Sequence, residues 1–172
     1  MKYLLAASGM LLLTACGGNT RVPVQMDNVV AANAPWLTVE ESRNVVPVSG
    51  LERSVKIEPT PTISGAVEAQ LRQQLKSKYS TDLIVRCRDV EASMAVDTDQ
   101  APGTISMQLA TSCRINARGS ESSHNYRARE SVPATSNTDG VNYQAAFPQL
   151  VAITSKEIAG NLATDIAASN KR

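Results

Sequence analysis

The chain has 172 residues, with 17 basic and 16 acidic side chains and one histidine, the length of one ordinary domain. A net charge of +1 lacks the basic excess of a general nucleic-acid binder, and a single histidine leaves little for metal or nucleophile chemistry. Hydrophobic residues make up 42% but aromatics only 3%, so a core has to be built from Val, Ile, Leu, Met and Ala.

Lys2 and the apolar run Leu4 to Leu13 open the chain, followed by Leu13-Thr14-Ala15-Cys16-Gly17. The run is too short to cross a bilayer, which takes about 20 residues, and reads as a signal peptide over residues 1–15. The segment ending at Cys16 resembles the bacterial lipobox. In such proteins the cysteine sulfur receives a diacylglycerol, the chain is cut before it, and the new amino group is acylated with a fatty acid such as palmitate. Gly17 stands where an Asp would resemble an inner-membrane retention signal, which points to the outer membrane with the domain facing the periplasm. Three acyl chains anchor a protein stably without spanning. Cleavage leaves 157 of the 172 residues and removes Lys2, so 16 basic side chains then balance 16 acidic ones.

Residues 16–35, rich in Gly, Asn, Pro and Ala, read as a flexible tether of about 18 residues that holds the domain a few nanometres from the lipid. Residues 36–53 carry isolated apolar pairs, Trp36-Leu37 and Val45-Val46, and read as extended and partly packed.

A single domain is expected over 54–172. Val55, Ile57 and Pro59 alternate with Lys56 and Glu58 as a half-buried strand. Ile63, Val67, Leu71, Leu75 and Tyr79 recur every four residues and define one helical face. Leu83, Val85 and Cys87 form one face of a strand, but from Val90 through Ala92, Met94 and Val96 the apolar positions are even, which requires a β-bulge at Arg88-Asp89. Ile105 to Ala117 alternates cleanly after the turn residues Asp97 to Gly103. Pairing Val96 with Ile105 and Met94 with Met107, then admitting the one extra residue, sets Cys87 opposite Cys113 and Val85 opposite Ile115. Directly opposed residues sit about 4.5 to 5.5 Å apart at Cα, within disulfide reach. In an oxidising compartment the two cysteines left after cleavage read as a disulfide.

A third strand, about Glu121 to Val132, turns His124, Tyr126, Ala128 and Val132 to one side. A closing helix presents Phe147, Leu150, Val151, Thr154, Ile158, Leu162 and Ile166 on one face, with Pro148 either in its first turn or kinking it. The expected fold is α+β: β-α-β-β-β-α, a four-stranded, mostly antiparallel sheet with two helices on one face and the other face open.

A lipobox, a short tether and this element order resemble the YajG-like outer-membrane lipoproteins, and the architecture is similar to that of the LPS-assembly lipoprotein LptE. The closest local likeness is Asn125-Tyr126-Arg127-Ala128-Arg129 together with the helix from Gln70 to Tyr79. The likeness covers roughly residues 50–168. No LptE-type binding residue has a counterpart here, and Cys87 and Cys113 match no family motif. The resemblance implies an envelope role without a known chemistry.

Catalytic patterns are weak. His124 follows Ser122-Ser123, but all three lie along one strand, whereas a Ser-His-acid triad needs a nucleophile on a constrained turn and a separate oxyanion site. Asp97-Thr98-Asp99 starts like a calcium loop, yet Ala101, Pro102 and Gln108 occupy later ligand positions. No Gly-rich phosphate loop or apolar carboxylate pair occurs. No catalytic residue, metal or cofactor is expected, and no nucleic-acid partner.

The set with binding chemistry is basic. Parity places Arg86, Arg114, Arg127 and Arg129 on the open sheet face, with Arg88 at the bulge. Arg86 and Arg114 are then directly opposed, a destabilising pair of like charges. The face is either simply solvated or meets an anionic partner, for which the guanidinium fork suits carboxylate or phosphate. The expected function is a non-enzymatic outer-membrane lipoprotein with a binding or assembly role. Its partners are then the membrane, through the anchor on Cys16, and another envelope protein or complex. The alternative is a structural accessory subunit of a secretion or transport machine, held by its N-terminal extended segment.

Overall fold

The computed structural model describes residues 19–27, 29, 32–78, 82–99, 103–137 and 140–170; the signal segment, Cys16 and Tyr79 lie outside them. Alternation begins earlier than expected. Val22, Val24 and Met26 turn inward while Arg21, Pro23 and Gln25 turn out, and Thr20–Gln25 is strand β1. Leu37–Val39 is β2 and Val46–Ser49 is β3, both inside the segment read as merely extended. Then follow β4 (Val55–Thr60), helix α1 (Ile63–Leu75), β5 (Leu83–Asp97), β6 (Thr104–Ala117), β7 (Ser120–Pro133), the two-residue strands β8 (Ser136–Asn137) and β9 (Gly140–Val141), and helix α2 (Tyr143–Ser169).

The α+β class holds, but among the described residues the sheet is mixed and has seven strands rather than four. Its order is β1-β4-β3-β5-β6-β7, with β2 also on β5. The expected β-α-β-β-β-α core is present as β4-α1-β5-β6-β7-α2. The three added strands are short: β1 runs parallel to β4, β2 and β3 run parallel to β5, and β3 also pairs antiparallel with β4. The tether reading is corrected on the same ground. Residues 20–25 are hydrogen-bonded to β4 as an edge strand, a position that tolerates Pro23.

The β5–β6 hairpin has the predicted register. Val96 faces Ile105, Met94 faces Met107 and Cys87 faces Cys113, with the shift between Arg88 and Glu91. Asp89 carries the bulge at φ +55°. A bulge strips ladder partners from nearby carbonyls, and buried carbonyls need replacements. Thr111 Oγ1 donates to the Arg88 carbonyl at 2.8 Å, and Ser42 Oγ donates to the Val90 carbonyl at 2.9 Å. The Ser42 N–H in turn donates to Ser64 Oγ on α1 at 3.1 Å. Residues 40–45 thus cross the bulge between β2, which pairs at Val85–Cys87, and β3, which pairs at Met94–Ala95. Cys87 and Cys113 are joined by a disulfide with Cα atoms 3.9 Å apart, closer than the register alone implied.

Helix α1 starts at a Thr62 cap, whose hydroxyl accepts from the Gly65 N–H, and buries Ile63, Val67, Leu71 and Leu75 as the four-residue spacing requires. In α2 the Asn142 side chain accepts from the Ala145 N–H; Pro148 lies inside the helix, one turn later than a first-turn position. Both helices cover one sheet face. Ile57, Ile105, Met107, Leu109 and Ile115 from the strands meet Leu71, Leu75, Phe147, Leu150 and Ile158 from the helices, all fully buried.

Candidate functional site

The open face is what the helices leave uncovered. Successive strand residues point to opposite sides, so burying Val85, Cys87, Met107, Leu109, Tyr126 and Ala128 exposes their neighbours. Rows run straight across β5, β6 and β7: Arg86–Arg114–Ser123, Arg88–Ser112–Asn125, Glu91–Ala110–Arg127 and Ser93–Gln108–Arg129. All five arginines are exposed on this face, Arg86, Arg114, Arg127 and Arg129 where parity put them and Arg88 beside the bulge.

The structure divides them. Arg86, Arg88 and Arg114 line one shallow depression of ≈ 220 Å³ with Glu40, Ser112 and Asn125. Arg129 borders a second of ≈ 670 Å³, walled by Pro47 and Arg53 and floored by Ser93, Ala95, Ser106 and Gln108. Arg127 lines neither. Arg114 lies 3.4 Å from Glu121 and Arg88 lies 3.4 Å from Asp89, exposed pairs that contribute little to stability. Among the described residues, Arg86, Arg127 and Arg129 have no acidic partner.

Sequence reasoning missed the rest of the face. With β1 and β4 in the sheet, Arg21 and Lys56 join it as a directly paired couple, and Arg21 Nη1 lies 2.8 Å from Glu58 Oε1. The inward alternation of Val22, Val24 and Met26 was the available signal for β1. The one exposed large hydrophobic among the described residues, Ile84 at 47%, stands in the Asn116–Glu121 row of this face.

His124 takes a structural place. Its Nδ1 lies 3.4 Å from Asp165 Oδ2 on α2, and the Tyr126 hydroxyl donates to the same oxygen at 2.7 Å. Among the described residues no serine hydroxyl bonds His124, so Ser122 and Ser123 form no nucleophile–base pair with it. Asp97 accepts from the Asp99 N–H, which makes Asp97-Thr98-Asp99 an Asx turn.

Tyr126 is 6% exposed. Burial first, then the hydrogen bond and the charge of Asp165, hold its phenol well above the ordinary value of 10.0. Folding raises this pKa, so the linked stability is whole below about pH 10 and falls as pH rises, because the unfolded tyrosine ionises first. Tyr126→Phe is expected to cost about 1–2 kcal/mol at neutral pH and to flatten the alkaline decline. Denaturation midpoints between about pH 8 and about pH 11 check both.

No protein-family model matches the chain, and no curated protein does. Solved structures give loose likenesses. A minor lipoprotein from Acinetobacter baumannii superposes at a TM-score of 0.44 with 17% identity, over 77% of this chain and 90% of that one. A Caulobacter crescentus CB15 protein described provisionally as a lipoprotein gives 0.39 and 13%, over 61% and 83%. An uncharacterized protein gives 0.41 and 11%, over 86% and 92%. Among the described residues no helix is long and apolar enough to cross a membrane.

Proposed function

We propose that this is a lipid-anchored protein of the bacterial outer membrane whose α+β domain faces the periplasm and works by binding rather than by catalysis. The observation that carries the reading is Leu13-Thr14-Ala15-Cys16, a lipobox after a short apolar run. The Cys87–Cys113 bond suits the same compartment, since disulfides persist outside the reducing cytosol. Covering one sheet face and leaving the other open and basic suits a binding module. The β4-α1-β5-β6-β7-α2 order and the Asn125 to Arg129 strand support the YajG-like affiliation.

The alternative, an accessory subunit gripped through its N-terminal extended segment, loses support from the strand pairing. Leu37–Val39 pairs with β5, and Val46–Ser49 with β4 and β5, so both stretches are already built into the domain's own sheet. Cys16→Ser is expected to abolish incorporation of a fatty-acid analogue and to release the protein from the membrane fraction. Normal labelling of the mutant would overturn the assignment.

A further inference from the structure

We propose that the open sheet face lies against the anionic lipid headgroups of the bilayer in which the chain is anchored, an inference that rests on acylation of Cys16. The first argument is reach. β1 begins at Thr20, four residues after Cys16, and four residues span at most about 14 Å however they are arranged. The leash is therefore too short to hold the domain away from the surface, as a longer tether would.

The second argument is where the leash attaches. Thr20 pairs with Val55, and the same row continues through Val48, Met94 and Met107 to Glu130. Adjacent strands lie about 4.8 Å apart, so β7 is about 24 Å across the sheet from β1. An anchor at one edge lets the whole face lie flat on the lipid.

The open face has the larger basic excess. It carries Arg21, Lys56, Arg86, Arg88, Arg114, Arg127 and Arg129 against Glu58, Asp89, Glu91 and Glu121, and its rim adds Arg43 and Arg53 against Glu40 and Glu41. On the opposite side of the molecule the outer side of α2 offers Lys156 against Glu157, Asp165 being turned in to Tyr126, and Lys76 and Lys78 follow the Arg72–Glu68 pair of α1. Lys and Arg gain favourable interaction with an anionic leaflet within a Debye length. The floor between the arginines is paved with Ser93, Ala95, Ser106 and Ala110, which allows close approach to a flat surface, and Ile84 supplies an apolar contact on the same side. The directly opposed Arg86 and Arg114, of which, among the described residues, only Arg114 has an acidic neighbour (Glu121), are neutralised by phosphate there.

The test uses the full, acylated protein in bilayer nanodiscs of phosphatidylcholine, with and without phosphatidylglycerol carrying a photoreactive headgroup. Intact mass first establishes that Cys16 is acylated; an unmodified cysteine overturns the underlying reading and the proposal with it. With acylation shown, crosslinks are expected on the Arg21–Lys56 edge and along β5, β6 and β7, and not on α2. Charge reversal at Lys56, Arg127 and Arg129 together is expected to lower crosslinking about tenfold, and high salt is expected to do the same to the wild type without touching the fold. Crosslinks on α2, an even distribution, or a yield insensitive to both salt and charge reversal would overturn the proposal. Any of these would leave the basic face to an acidic protein.

Discussion

Replacing Cys87 and Cys113 together by alanine is expected to lower stability by about 3–4 kcal/mol. The bond closes a loop with a sequence separation of 26 residues, and loops of that size contribute about this much when the cross-link constrains the unfolded chain. Two further features place the effect at this position. Both cysteines are buried in the core, at 0% and 2% exposure. On the opposite side of the same two strands Arg86 faces Arg114 one residue away, so the cross-link holds the hairpin where like charges push it apart. Urea midpoints with and without reductant measure the loss. In an Arg86→Gln background the loss should be smaller, because part of the load on the bond has been removed. Equal stability of oxidised and reduced protein would contradict this account of the hairpin.

Phe147→Ala is expected to cost about 3–5 kcal/mol, with Phe147→Leu costing less than half as much. Phe147 is the only phenylalanine in the chain and is fully buried among aliphatic side chains. Among the described residues the core's other buried rings are Trp36 and Tyr126, the latter held through its hydroxyl on Asp165, and the remaining large side chains are Val, Ile, Leu and Met. The position is also exposed to helix weakness: Pro148, next to it, removes a backbone donor inside α2. The first turns of α2 therefore depend on the Asn142 cap and on this ring. Denaturant titration checks the pair of variants; a change below about 1 kcal/mol for Phe147→Ala would show that the site collapses readily.

The local parts of the fold were legible and the long-range parts were not. The change of parity from Cys87 to Val90 announced the bulge, and the bulge alone aligned the two cysteines. The spacing of Ile63, Val67, Leu71 and Leu75 announced α1. These signals lie within one strand pair or one helix. β2 and β3 have three and four residues, too few for a period to be read, and Pro47 argues locally against a strand. What makes them strands is the edge of β5 on either side of its bulge, far along the chain, joined for β3 by its pairing with β4.

The basic face was half legible for the same reason. Parity placed Arg86, Arg114, Arg127 and Arg129 correctly because β5, β6 and β7 form a hairpin meander. Arg21 and Lys56 joined them only through the parallel β1–β4 pairing, which brings together residues 35 positions apart, as in Arg21 with Lys56. That pairing also turned a presumed long tether into a short leash, which changes what the basic face can reach.

The most direct test of the account is the intact mass of the wild-type protein extracted from membranes with detergent. The expected result is a chain beginning at Cys16, with residues 1–15 gone, a diacylglycerol and a fatty acid added at that residue, and two hydrogens missing for the Cys87–Cys113 bond. A chain that retains Met1, or one cut elsewhere with an unmodified Cys16, would contradict it.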